Sequence, residues 1–151
     1  MTDDRVPLLE RLQREFATFI PFNRLMGLEL VSFSDREATL RLPWSPNFVG
    51  DESTGVVSGG VVTTLLDATC GAAVFMALPT PEGTATLDLR IDYLRPAEPG
   101  EALMAHAIAT RVARHVVFVT ATAWTTDPAQ PVATAAATFM RDTPLTRQTL
   151  S

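Results

Sequence analysis

The chain has 151 residues, of which 46% are apolar and 19% charged. That is enough to bury a core without disulfide or metal staples, and too much apolar surface for a disordered chain. The formal net charge is −5 and all twelve basic residues are arginines, which excludes a general nucleic-acid binder and leaves anionic ligands only where arginines cluster locally.

The first segment, MTDDRVPLLERLQREF, is acidic before it is apolar, so it does not read as a signal peptide. Asp3 and Asp4 suit a helix start. Leu8, Leu9, Leu12, Phe16, Phe19 and Ile20 then follow helical spacing, which predicts a short amphipathic helix over about 3–20, ended by Pro21. Residues 28–34 and 36–43 read as a hairpin around Ser34-Asp35, with Ala38, Leu40 and Leu42 alternating with Thr39 and Arg41. Residues 43–57 read as a loop, long enough to be functional. Gly59–Leu78 is apolar on nearly every side and predicts a buried helix. Four strands follow, over 84–95, 101–113, 115–126 and 131–141. In the first, Leu87, Leu89, Ile91 and Tyr93 are expected on one face. No polar-free apolar run reaches membrane-spanning length.

A helix that is apolar all round needs a sheet wrapped about it. The order of helix, two strands, buried helix and four strands therefore predicts an α+β chain, an antiparallel sheet curled around one long helix. The whole of 1–151 reads as one such domain.

Two features of the buried helix carry chemistry. Asp67 is its only ionisable carboxylate, flanked by Leu65, Leu66 and Ala68. A carboxylate there is costly unless it is paired or opens on a cavity, and burial would raise its basicity. The structural alternative is an Asp satisfied by Thr63 and Thr64, one turn earlier. The second feature is Ser58-Gly59-Gly60 at the helix start. Glycines allow close approach to backbone N–H groups that attract negative charge, as an oxyanion hole requires. Alternatively, Ser58 is an N-cap and the glycines serve packing. Gly59 and Asp67 lie ~12 Å apart along one helix. Both can act on one carbonyl only if two protomers each supply one of them, so a catalytic pair implies at least a dimer.

The stretch GVVSGGVVTTLLDATCG resembles the signature of hotdog-fold acyl-CoA thioesterases of the phenylacetate-pathway, or PaaI-like, type. That signature runs G-x-x-H-G-G with an Asp nine residues after the His; here Gly55, Ser58 and Asp67 hold the spacing. TATLDLRIDYLRPAEPGE is similar to the family's third strand and its turn. The likeness runs from about residue 25 to 141. It implies a hotdog fold and hydrolysis of an acyl- or aryl-CoA thioester. It implies Asp67 as general base or nucleophile, the partner subunit's Gly59 N–H as oxyanion donor, and Thr86 as a hydroxyl orienting water. Strand alternation, however, puts Thr86 on the face opposite Leu87 and Leu89. Ser58 stands where the family has His, and Glu52 where it commonly has Asn or Gln; Asn47 lies five residues earlier and inherits no role.

Thioester hydrolysis needs a base, an oxyanion donor and a dry acyl slot. Val61, Leu65, Cys70 and Val74 are candidates for the slot, and Gly60 for substrate binding. Arg90, Arg95, Arg111 and Arg114 are candidates for the phosphates of coenzyme A, which would enter only as part of the substrate. His106 reads as a packed histidine and His115 as a turn residue. A lone Cys70 with two histidines forbids a disulfide framework and argues against a metal site, so neither metal nor cofactor is expected, and the compartment expected is the cytoplasm. No nucleic-acid or membrane partner is expected. A serine hydrolase is disfavoured because Val56 breaks the G-x-S-x-G elbow. A hotdog dehydratase lacks its paired His. The alternative of another class is a non-catalytic acyl-CoA binder on the same fold.

Overall fold

The structure, a computed structural model, describes residues 19–80 and 82–143. The helix expected over 3–20 lies outside the described residues except for its last two positions. Pro21, expected to end that run, opens α1 (Pro21–Met26), where a missing N–H costs nothing at the first helical position.

A hairpin follows, β1 (Glu29–Ser34) and β2 (Glu37–Leu42), with Arg36 in the left-handed region at its turn. The expected loop contains a 3₁₀ turn (Pro46–Phe48) and a small ladder of β3 (Val49–Asp51) with β4 (Val56–Val57). Then come the core helix α2 (Gly59–Ala77) and the strands β5 (Gly83–Tyr93), β6 (Leu103–Val112), β7 (Val116–Trp124) and β8 (Ala133–Thr143). Each of the four late strands coincides with its predicted segment to within two residues.

The six long strands form one antiparallel sheet in the order β1-β2-β6-β7-β8-β5. The helix lies across it, which is the hotdog architecture the element order implies. The inward positions of β6, β7 and β8 are mostly alanine: Ala105, Ala107, Ala109, Ala121, Ala123, Ala133, Ala135 and Ala137 are all buried. Small strand residues let the helix sit close to the sheet. The bulk comes instead from Val62, Leu65, Leu66 and Val74 of the helix and from Leu40 and Leu42 of β2. Each fully buried leucine contributes about 2–3 kcal/mol. By length and composition α2 could cross a membrane. Here eight of its residues are buried instead, within the core built on the sheet.

Candidate functional site

The core helix is not buried all round. Val62, Leu65, Leu66, Thr69, Cys70 and Ala73 form its sheet side. Gly60, Thr63, Thr64, Asp67, Gly71 and Phe75 recur at helical spacing on the other side and keep partial or full exposure. Asp67 therefore sits half-buried on an open stripe, which relieves the desolvation that its apolar neighbours in sequence suggest. Thr63 and Thr64 are not its partners. Their hydroxyls donate back to Gly59 O and Gly60 O, at 3.0 and 2.9 Å.

The partner of Asp67 is Thr86, whose Oγ1 donates to Oδ1 at 2.8 Å. A bulge makes this possible. Thr86 pairs with Phe139 and Asp88 with Thr138, so Leu87 is the extra residue in β5. An extra residue reverses the alternation. Thr86 joins Leu89 and Ile91 on the helix side, while Leu87 is left 53% exposed. The expectation that Leu87 shares a face with Leu89 is thus corrected, and the objection to Thr86 goes with it. Among the described hydrogen bonds Asp67 Oδ2 has no donor, so one carboxylate oxygen is held and the other is open.

The loop before the helix is built to present the helix's first turn. Asp51 Oδ1 accepts from Ser53 N–H at 2.9 Å and Ser53 Oγ at 2.6 Å. The Ser53 hydroxyl is the largest of the bonds holding that carboxyl below the usual carboxylate range. Gly55 takes a left-handed φ of 72°. Gly50 passes so near Ser58 that a Cβ on it would lie 3.0 Å from Ser58 Cα. The local structure of the chain accounts for both of these glycines.

It does not account for the next two. A Cβ at Gly59 would meet Tyr93 at 3.5–3.6 Å, and one at Gly60 would meet Ser58 Oγ at 3.8 Å; both are ordinary contacts. Ser58 occupies the N-cap position, as the alternative expects, but its side chain makes no capping bond; its carbonyl accepts Val61 N–H at 3.0 Å and Val62 N–H at 3.4 Å. Among the described hydrogen bonds, Gly59 N–H and Gly60 N–H have no acceptor. Two amides at a helix start are thus left uncovered, by glycines that the chain's own packing does not demand.

Other expectations shift. Leu65, Cys70 and Val74 are fully buried and Val61 packs on the core, so these residues belong to the hydrophobic core and not to a slot on the open stripe. Burial pushes the Cys70 thiol up to about 12, helped by the Asp67 charge. The four arginines do not cluster in one chain. Arg95 is tied to Glu98 at 2.6 Å and to Gln130 O at 2.6 Å, at the C-terminal end of β5. Arg111 and Arg114 lie at the other end of the sheet; Arg111 faces Phe118, three strand steps from β5. Arg90 is paired with Asp92 at 3.1 Å on the outer side. His106 is half-exposed on the outer face, 3.3 Å from Glu37. There it lines a shallow depression with Thr39, Thr122, Trp124 and Pro128.

Residue-by-residue reading misses Tyr93. It lies where β5 passes the helix start, and its hydroxyl donates to Gly59 O at 2.9 Å and lies 2.7 Å from Thr63 Oγ1. The missed signal is directional: β5 runs antiparallel to the helix along its open side. Thr86 meets the middle of the helix and Tyr93 its start.

A family model described as the thioesterase superfamily matches residues 54–132, from the turn before Ser58 to the edge of β8. A crystal structure of a Pseudomonas aeruginosa protein is 42% identical and superposes with a TM-score of 0.78, covering 89% of this chain and 99% of its own. The PaaI protein of the Escherichia coli phenylacetic acid degradation operon, at 15% identity and TM-score 0.74, covers 88% of this chain and 97% of its own, a likeness of fold. The medium/long-chain acyl-CoA thioesterase YigI of Salmonella typhimurium is 33% identical over 94 residues, 54% of this chain and 61% of that protein. The chain thus spans 58–61% of the length of the curated relatives it matches. With its signature glycines, its helix carboxylate and this element order, the chain belongs to the thioesterase superfamily.

Proposed function

We propose that the chain hydrolyses an acyl- or aryl-CoA thioester to the free acid and coenzyme A, as a homo-oligomer. The observation that carries this reading is the held-and-open carboxylate. Asp67 lies half-buried on the open stripe, with one oxygen fixed by Thr86 and the other without a donor among the described residues. As general base, Asp67 takes a proton from water while the water oxygen attacks the thioester carbonyl carbon. The oxyanion of the tetrahedral intermediate is met by the Gly59 N–H of a second copy. The C–S bond then breaks, and the thiolate leaves with the proton that Asp67 accepted. As nucleophile, the open oxygen attacks the carbonyl carbon and the C–S bond breaks to expel the thiolate; water then hydrolyses the resulting anhydride to the free acid and the Asp67 carboxylate, and its proton goes to the thiolate.

A second copy is required because Gly59 and Asp67 are ~12 Å apart on one helix. The edge of β5 supports it: among the described residues this strand has no neighbour on one side, and its Leu87 and Tyr93 and the following Leu94 are more than half exposed. Pairing through that edge would satisfy the strand and bring two open stripes together. Ser58 Oγ, free of a capping bond, is available to the thioester end. The name of the Salmonella relative makes medium and long acyl chains the first to try. Coenzyme A phosphates would fall to Arg90, Arg111 or Arg114 gathered from two copies, Arg95 being committed to its turn. The reading calls on no metal or separate cofactor.

The test is release of free coenzyme A from a panel of acyl- and aryl-CoA thioesters, for wild type and Asp67→Ala together. Turnover by wild type with a loss of about 10³-fold or more in the variant, which stays folded and associated, supports the reading. Equal rates would make Asp67 structural. Ser58 in place of the family's His favours one second reading, a non-catalytic acyl-CoA binder. Binding of a thioester without any release would establish it.

A further inference from the structure

Gly59 O is an unusually well-served carbonyl for a first helical turn. Besides the backbone of the following turn, it faces the Thr63 hydroxyl at 3.0 Å and the Tyr93 hydroxyl at 2.9 Å, and these two oxygens are 2.7 Å apart. Two hydroxyl protons serve three contacts. Whichever way they are distributed, at least one is donated to Gly59 O. The other either joins it there or links the two hydroxyls into a chain ending on that oxygen.

The peptide unit that contains Gly59 C=O also contains Gly60 N–H. Donating a hydrogen bond to an amide oxygen draws electron density from its nitrogen and makes the N–H of the same unit a stronger donor. Gly60 N–H is one of the two uncovered amides at the helix start. Tyr93 also fixes the position of that peptide through its hydroxyl on Gly59 O, and its ring stands where a Cβ on Gly59 would meet it at 3.5–3.6 Å.

We infer that Tyr93, with Thr63, is a positioning residue for the oxyanion site: it orients the Gly59–Gly60 peptide and strengthens Gly60 N–H as a second donor to the developing oxyanion. The inference rests on the thioesterase reading and adds to it a second amide and the side chains that tune it. Tyr93 does not touch the substrate in this role. It acts through the peptide, so its effect belongs to the transition state, where the carbonyl oxygen is charged, more than to ground-state binding.

Tyr93→Phe keeps the ring and removes the hydroxyl. The expected result is a fall in kcat of about 5-fold with KM changed by less than about 2-fold. In nitrogen-edited NMR spectra of the substrate-free protein, the Gly60 amide proton should move upfield. Thr63→Val should repeat both effects and Thr63→Ser should restore them, which keeps the test open if Tyr93→Phe does not fold. A Gly60 amide that stays in place, or a rise in KM with kcat unchanged, overturns the inference while leaving the thioesterase reading intact. A wild-type protein that releases coenzyme A from no thioester overturns that reading, and this inference with it, before any variant is compared.

Discussion

The two sides of the core helix obey different rules. On the sheet side each residue is explained by what it touches. Leu65, Leu66 and Val74 fill the space above strands lined with alanine, and Thr69, buried among them, donates its hydroxyl to Leu65 O at 2.6 Å. On the open side, intrachain contacts explain Thr63 and Thr64 but not the two glycines or the second oxygen of Asp67. Gly59 and Gly60 leave room that a methyl group would fill without strain. Asp67 is held by a hydroxyl from an edge strand that must bulge to reach it. Glycine is about 1 kcal/mol worse than alanine inside a helix, and a bulge forgoes ladder pairing. The described contacts give neither feature a structural use, and the proposed function gives them one.

Substitutions on each side should separate stability from activity. Leu65→Ala, on the sheet side, should lose about 2–5 kcal/mol in urea denaturation, while kcat per folded molecule stays within about 2-fold of wild type. If it lowered activity at full stability, the division between the two sides would be wrong. Gly59→Ala should do the reverse. Its Cβ fits, so stability should hold or rise by up to about 1 kcal/mol, while thioester turnover falls by about 10²-fold as the approach to the amides is blocked. An active Gly59→Ala protein would remove the oxyanion role from this turn. Thr86→Val should cost about 10-fold in kcat by freeing the Asp67 carboxylate, with a small change in melting temperature.

The smallest effect concerns Cys70, which lies on the sheet side but feels the Asp67 charge. Its thiol is raised to about 12 by burial first and by that charge second. The fold favours the neutral thiol, so this contribution to stability is lost only as the pH rises above the ordinary thiol range. At neutral pH the native protein should resist alkylation by iodoacetamide, and in urea Cys70 should react fully. Rapid labelling of the native protein would mean that the sheet side opens.

Much of the molecule is legible in the order of its residues. Hydrophobic spacing and turn residues place the described long strands and the core helix, because local periodicity and burial share one cause. The spacing of Gly55, Ser58, Gly59 and Asp67 singles out the helix of the candidate site, because a carboxylate in an apolar helix is conspicuous in any sequence. The distance between Gly59 and Asp67 follows from helix geometry alone.

Contacts between distant segments are another matter. Thr86 meets Asp67 only through a one-residue bulge, and strict alternation assigns it to the wrong face. Tyr93 meets Gly59 because β5 passes the helix start after more than thirty intervening residues. Arg95 and Arg111, similar as isolated basic residues on late strands, end on opposite ends of the sheet. Sequence periodicity reports which side of an element is apolar, a local property set by burial. Which partner stands on that side depends on sheet order and on register, and one inserted residue reverses it; only the packed tertiary structure decides that.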